Sequence, residues 1–170
     1  MKIKLRQFNK YDSDLLFQWI NNKSLVNFNS SYNPIHEVSH DKWFDAISSN
    51  NSVRAFGICN DIDDLLIGTC QLLDLNFLNR TGELQIRIGN QSNQGKGFGS
   101  QAIALLLDFG FKDLNLNRIS LKVFSDNKRA VAAYQKVGFF KEGMLRQTHF
   151  INGVYKDLVV MSILKSEYNV

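Results

Sequence analysis

The sequence predicts an α+β domain with a mostly antiparallel, mixed sheet of six to seven strands and about four flanking helices. Three observations support this fold class. Short segments alternate apolar and polar residues, as half-buried strands do. Between some of them apolar residues recur at helical spacing, and turn residues mark the boundaries. A length of 170 residues, 44% of them hydrophobic, suits one domain, residues 1–170, with its own core.

The first half of the chain begins with one strand and two helices. Residues 2–8 alternate charged and apolar side chains, which predicts a strand. A first helix follows, with apolar residues at helical spacing over 15–20. A polar and aromatic loop over 24–35 separates it from a second helix that runs through 43–47.

A hairpin is predicted next, formed by 53–59 and 65–75. Its register places Cys59 opposite Leu66 and Cys70 opposite Ala55. These two residues are the only cysteines in the chain. Because they do not face each other, both are predicted to be buried free thiols in a reducing compartment.

The second half predicts the order strand, helix, strand, helix and hairpin. The strand covers 83–88, and a glycine-rich loop leads into a helix over 99–112. Residues 118–124 are a strand and 127–137 a helix. The final hairpin turns at Asn152-Gly153, a pair that favours a type I′ turn.

Composition excludes several functional classes. The formal charge of +4 is spread along the chain, so no nucleic-acid-binding arm is expected. No apolar segment approaches the ~20 residues of a membrane span, and the start resembles no signal peptide, so a cytoplasmic location is expected and no membrane contact. His36 and His40 lack a third ligand; both are expected to be exposed, and no metal site is predicted.

The segment 94–100 is the most informative part of the sequence. Gly95, Gly97 and Gly99 alternate at the entry to a helix, where glycine allows the backbone to approach a ligand closely. Amide groups at a helix N-terminus bind anions, and Lys96 adds a positive charge. A phosphate or pyrophosphate is therefore the expected ligand. The spacing fits neither a Walker loop nor the dinucleotide fingerprint, and a flexible helix entry without a ligand stays open.

Two motifs together resemble the GNAT superfamily of N-acetyltransferases. Gln94, Gly97 and Gly99 match its coenzyme A loop, Gln/Arg-x-x-Gly-x-Gly/Ala. Residues 127–139 resemble its second signature, Asn-x-x-Ala-x-x-x-Tyr-x-Lys-x-Gly-Phe. The similarity extends over 66–163, and the first 60 residues match only in outline.

The resemblance implies an acyltransferase that uses acetyl-CoA as its co-substrate. The backbone of the loop would hold the pyrophosphate, and the strand before the loop would pair with the pantetheine arm through Ile86 and Ile88, as a peptide extends a sheet edge. The cofactor-binding residues so implied are Ile86, Arg87, Ile88, Gln94, Gly95, Lys96, Gly97, Phe98, Gly99, Ser100 and Asn127.

Direct acetyl transfer needs a neutral amine and a proton for the departing thiolate. The resemblance places Tyr134 near the thioester sulfur, and its phenol is the candidate acid; periodicity alone also fits a core tyrosine. Glu83, at the start of the strand before the loop, is the candidate base, although a surface glutamate is equally compatible with the pattern. His149 is a weaker candidate.

The acceptor is expected to be the primary amine of a small molecule, either an amino sugar or a polyamine. N-terminal acetylation of a ribosomal protein and a non-catalytic acyl-CoA sensor are the alternatives. A polyamine would need an acidic pocket, to which Glu37, Asp41 and Glu83 could contribute. A sugar would suit aromatic and neutral polar walls, which the loop offers in Phe28, Asn29, Tyr32 and Asn33. The sequence leaves the oligomeric state open, a homodimer included.

Overall fold

The structure is a computed structural model that describes residues 2–168. Seven strands form one mixed sheet, as the sequence predicts. They are β1 (Ile3–Arg6), β2 (Arg54–Asn60), β3 (Leu66–Asn76), β4 (Thr81–Ile88), β5 (Arg118–Phe124), β6 (Phe140–Ile151) and β7 (Val154–Leu164). Their order across the sheet is β1-β2-β3-β4-β5-β7-β6, and only the β4–β5 pair is parallel.

Within residues 2–168 five α-helices flank this sheet, one more than the sequence predicts. They are α1 (Ser13–Ile20), α2 (Lys23–Val26), α3 (Glu37–Ala46), α4 (Phe98–Asp108) and α5 (Lys128–Val137). The additional helix, α2, lies in the segment predicted as a loop. It is a single turn, too short to show a periodicity, and the side chain of Asn22 caps it by accepting hydrogen bonds from the amides of Ser24 and Leu25.

The main hydrophobic core lies between the sheet and helix α4. Leu84, Ile86 and Ile88 of β4 pack in or against it, together with Leu106 of α4. Because side chains alternate along a strand, Glu83, Gln85 and Arg87 face the opposite side of the sheet. A smaller apolar cluster around Leu16, Trp19 and Leu25 joins α1 and α2. The polar face of β4 therefore lies on the side of the sheet where α1 and α2 pack.

The β2–β3 hairpin confirms one register contact of the cysteines and corrects the other. Cys59 lies opposite Leu66, as predicted, but Cys70 lies opposite Phe56 and not Ala55. A register shift between Ile58 and Cys59 moves the rest of the pairing by one residue. Both thiols are free and buried, as expected.

The parallel pairing of β4 and β5 is short. It joins only Thr81, Gly82 and Glu83 to residues 118–120, and the two strands are unpaired beyond Glu83. At the far end of the sheet, positive φ angles at Asn152 (51°) and Gly153 (82°) confirm the predicted turn between β6 and β7. The sheet thus has a gap at its centre, between β4 and β5, and ends at one edge in the tight β6–β7 hairpin.

The two histidines near α3 differ from each other. His36 is exposed, as expected, but His40 is buried. Its ring packs against Phe17 and Trp43, and its Nε2 lies 3.1 Å from the Ser13 hydroxyl. Within residues 2–168 no group of three His, Cys, Asp or Glu side chains could hold a metal ion. Over the same residues no helix is long and apolar enough to cross a membrane.

Candidate active site

The glycine loop forms an open cradle at the start of α4. Gly95 and Gly97 have φ angles of 77° and 82°, a region that other residues rarely adopt. A Cβ atom added at Gly95, Gly97 or Gly99 would meet no atom within 4 Å, so the space beside the loop is open. Helix α4 begins directly after Gly97 with its first amide groups unpaired within the helix. These features fit the pyrophosphate of coenzyme A.

A cleft of about 360 Å³ extends from this loop between β4, β5 and α5. We call it the cofactor cleft. Of the predicted cofactor-binding residues, Lys96 alone is absent from its walls; its side chain is exposed. Those that line the cleft are Ile86, Arg87, Ile88, Gln94, Gly95, Gly97, Phe98, Gly99, Ser100 and Asn127.

Two polar side chains from α5 and its cap complete the cleft. The Oδ1 of Asn127 caps the helix by accepting a hydrogen bond from the amide of Ala130, so its amide nitrogen is the group left for a ligand. Arg129 donates to the Oε1 of Gln94 at 2.9 Å and so connects α5 to the glycine loop. Sequence reasoning missed Arg129 because it occupies an unspecified position of the second motif.

The edge of β4 that faces the cleft has backbone groups free of the sheet. The amide of Gly89 donates to the carbonyl of Ile67 on the β3 side. Because backbone groups alternate along a strand, those of Ile88 and Ile86 point away from β3, into the opening between β4 and β5. The carbonyl of Ile86 accepts a hydrogen bond there from Asn29 at 3.1 Å. Arg87 pairs with Thr69 of β3, so it reaches a ligand only through its side chain.

Tyr134 lies on α5 with its ring in the core and lines the cofactor cleft. Its side chain is buried, in edge-to-face contact with Phe139 at 5.8 Å between ring centroids. Within residues 2–168 its hydroxyl has no hydrogen-bond partner. Burial raises the pKa of Tyr134 to about 12, so the phenol stays protonated at neutral pH. The residue is therefore both a core tyrosine and a proton donor available at the cleft.

A second cavity, of about 730 Å³, lies on the other face of the sheet. We call it the acceptor cavity, for the role that we propose for it. Glu83, Gln85 and Arg87 line it, and Lys122 of β5 forms a 2.6 Å ion pair with Glu83. His149 also lines this cavity. It shares four residues with the cofactor cleft: Asn29, Ile86, Arg87 and Lys122. Glu83 and Tyr134 thus lie in different cavities that meet beside Ile86.

The structure does not bring together the residues that sequence reasoning grouped for acceptor binding. Glu37 and Asp41 are exposed and outside the walls of both cavities, so Glu83 is the one carboxylate among the described residues of the acceptor cavity. Of the aromatic and polar loop residues, Phe28 lines the cofactor cleft and Asn29 lines both cavities. The other two, Tyr32 and Asn33, line neither.

Comparison with known proteins identifies the family. The acetyltransferase (GNAT) domain family matches residues 2–140 of the chain. The chain belongs to the GNAT acetyltransferase family. As an enzyme of this family it uses acetyl-CoA as its co-substrate and transfers the acetyl group to an amine, which sets aside the non-catalytic acyl-CoA sensor.

Spermidine N(1)-acetyltransferases are among the relatives of this GNAT chain. The Vibrio cholerae enzyme is 34% identical over 169 residues, which cover 98% of the chain and 95% of that enzyme. The Escherichia coli K12 enzyme is 33% identical over 168 residues, covering 98% of the chain and 88% of the enzyme. A crystal structure of the Vibrio cholerae enzyme with CoA and spermine superposes with a TM-score of 0.87, covering 98% of this chain and 97% of that one.

Proposed function

We propose that this acetyltransferase acts on the primary amine of a small molecule held in the acceptor cavity, with Glu83 as the base and Tyr134 as the acid. The observation that carries the proposal is the junction of the two cavities at Ile86. An amine that enters from the acceptor cavity meets the cofactor cleft there, between the carboxylate and the phenol.

The amine must lose a proton before it can attack. For a lysine-like amine at pH 7 this deprotonation costs about 4–5 kcal/mol. Glu83 is the carboxylate on the acceptor side, only partly exposed and paired with Lys122. A base in this position takes the proton directly or through one water molecule.

The cofactor cleft would hold acetyl-CoA and supply a proton to its sulfur. Bound acetyl-CoA supplies the acetyl group as a thioester. The outward backbone groups of Ile86 and Ile88 suit an extended pantetheine arm, and the amides of the glycine loop suit the pyrophosphate. The protonated phenol of Tyr134 donates its proton to the sulfur as the thiolate departs, so that CoA leaves as the thiol. Solvent then reprotonates the phenolate, and Glu83 releases to solvent the proton that it took from the amine.

Two acceptor classes are the first to test. The relatives named for spermidine favour a polyamine, and aromatic and neutral polar side chains in the acceptor cavity, such as Trp43 and Asn29, suit an aminated sugar. An N-terminal peptide represents the protein alternative. Each acceptor should be assayed with acetyl-CoA by thiol release, and the acetylated product identified by mass spectrometry.

Efficient turnover of spermidine, spermine or glucosamine, with little turnover of a peptide, is the expected result. Thiol release without an acetylated amine would indicate hydrolysis only. Preferential acetylation of the peptide amine would contradict a small-molecule acceptor.

A further inference from the structure

The acceptor cavity contains a cation that no residue of the described chain compensates. Its charged lining consists of Glu83, Lys122 and Arg87. Glu83 and Lys122 pair with each other at 2.6 Å. Arg87 forms no hydrogen bond and no ion pair with any residue between 2 and 168. One positive charge therefore remains at the wall that the two cavities share.

The guanidinium of Arg87 is half-buried, and its Nε is completely enclosed without a hydrogen-bond partner. Burial lowers the pKa of Arg87, yet an arginine stays charged in proteins. Buried polar groups normally have a partner, and an unpaired one calls for an explanation such as a missing ligand. Arg87 lines both cavities, and the larger of them, about 730 Å³, has room for such a ligand.

The remaining groups around this cavity do not provide the partner. His40 is engaged with Ser13, and the Nδ1 of His149 lies 3.1 Å from the hydroxyl of Thr148. The neutral side chains on the same face include Thr69, Gln71 and Gln85, of which the two glutamines bond to each other. The carboxylates of Glu37 and Asp41 lie outside the walls.

We propose that Arg87 forms an anion subsite in the acceptor cavity, so that the preferred acceptor carries a phosphate or carboxylate group in addition to its amine. The planar guanidinium binds such oxyanions through two parallel hydrogen bonds. This inference rests on the proposed function, because it assigns the second group of the molecule whose amine is acetylated.

The position of Arg87 also limits the shape of that acceptor. Glu83 and Arg87 lie four residues apart on one face of β4, which separates their Cα atoms by about 13 Å. An amine beside Glu83 and an anion beside Arg87 must then belong to separate ends of the molecule. A phosphorylated amino sugar has this arrangement, whereas a polyamine would bring further positive charge to Arg87.

The first test measures anion binding without an acceptor. Inorganic phosphate is titrated into protein saturated with CoA, so that the glycine loop is occupied, and the Nε–H signal of Arg87 is followed by NMR. We expect a saturable shift of that signal, and calorimetry should show phosphate affinity reduced about tenfold in Arg87→Gln, since one charge-assisted pair is lost. Arg87→Lys should keep part of the affinity, because it keeps the charge.

Arg129→Gln is the matched control, because Arg129 lines only the cofactor cleft. With CoA kept saturating, it should leave phosphate binding unchanged. An unchanged phosphate affinity in Arg87→Gln, or an Arg87 signal that phosphate does not move, would overturn the subsite. This result does not depend on turnover, so it separates failure of the subsite from failure of the proposed function.

The second test uses a matched pair of acceptors on the wild-type enzyme. Glucosamine 6-phosphate should exceed glucosamine in kcat/KM by about tenfold, and the ratio should fall towards one in Arg87→Gln. Spermidine, which has no anionic group, should be acetylated with a lower kcat/KM than glucosamine 6-phosphate. A preference for spermidine over both sugars, with the ratios unchanged in the variant, would refute an anion-selective cavity. Absence of acetylation for every amine would count against the proposed function alone.

Discussion

The cofactor cleft and the acceptor cavity share a wall but are built from the chain in different ways. Most of the cofactor cleft comes from the glycine loop, the edge of β4 and the first two turns of α5. The acceptor cavity takes one to four residues from each of several separate elements, among them α1, α3, β3, β4 and β5. A few short segments, each with neighbouring residues in the sequence, therefore define most of the first site, and the register of the sheet defines the second.

This difference has a functional consequence. In the proposed arrangement the co-substrate contacts mainly backbone groups, which depend on glycine and on strand geometry. The proposed acceptor contacts side chains, each of which can change without altering the fold. The cofactor half of such an enzyme is therefore predictable from a motif, while the acceptor half depends on individual substitutions such as an arginine at position 87.

The largest effect is expected from Tyr134→Phe. Loss of the proton donor should lower kcat about 100-fold or more, with a small change in the affinity for acetyl-CoA. Tyr168→Phe is the control, because burial likewise raises the pKa of Tyr168 to about 12 and its hydroxyl donates to the carbonyl of Ala104 outside the cleft.

The pH dependence gives a second measure of the same residue. The protonated phenol is present below its pKa, and because the pKa of Tyr134 is about 12, kcat of the wild type should not fall up to about pH 10. Near-normal kcat in Tyr134→Phe, or an equal loss in Tyr168→Phe, would contradict the role of Tyr134.

Gly97→Val should weaken acetyl-CoA binding about 100-fold, because it forces a β-branched residue to a φ of 82° and fills the cradle. Gly153→Val is the matched control, since Gly153 has the same φ and equally open surroundings. Both variants should lose a similar amount of stability in urea, but only Gly97→Val should lose binding by calorimetry. Equal binding in the two variants would exclude the loop as the pyrophosphate site.

A smaller effect is expected from Glu83→Gln on the acceptor side. Without the carboxylate the amine must lose its proton to water, so kcat/KM at pH 7 should fall roughly 10- to 100-fold. The deficit should shrink as the pH approaches the pKa of the amine, near 10 for a lysine-like group. Lys122→Met serves as the companion variant, because it removes the ion pair and keeps the carboxylate. A loss independent of pH would indicate that Glu83 acts only structurally.

The smallest effect is expected on stability, from the ion pair between Arg118 and Glu142, which lies outside both cavities. Arg118 and Ser162 hydrogen-bond to Glu142 and lower its pKa to about 2. A carboxylate with a lowered folded-state pKa adds stability above its unfolded value near 4.3, and this stability disappears as the pH falls towards 2.

Because the side chain of Glu142 is 39% exposed, solvent screening leaves about 1 kcal/mol for Glu142→Gln at pH 7. Urea unfolding should show this difference at pH 7 and its disappearance near pH 2. Acetyl-CoA affinity should not change, and a change would connect this pair to the cofactor cleft.

The parts of the fold that follow from local patterns were predictable. Alternation identified the strands, and Asn152-Gly153 identified the hairpin turn. The single-turn helix α2 could not be predicted, because four residues are too few to show a helical period. The predicted partner of Cys70 was wrong because the register shift near Ile58 has no signature in the sequence. In the site, the glycine loop could be predicted from its motif. The charge of the acceptor cavity could not be predicted, because its residues are far apart in the sequence and become neighbours only in the folded sheet.

The short parallel pairing of β4 with β5 divides the sheet into two halves, four strands on one side and three on the other. An extended arm that lies in the gap beyond Glu83 would act as an additional strand and tie the halves together. The free enzyme would then be most deformable along this seam and stiffen on loading. Release of CoA would require the two halves to separate again along this seam. Tighter binding of the co-substrate would then slow product release and with it the turnover rate.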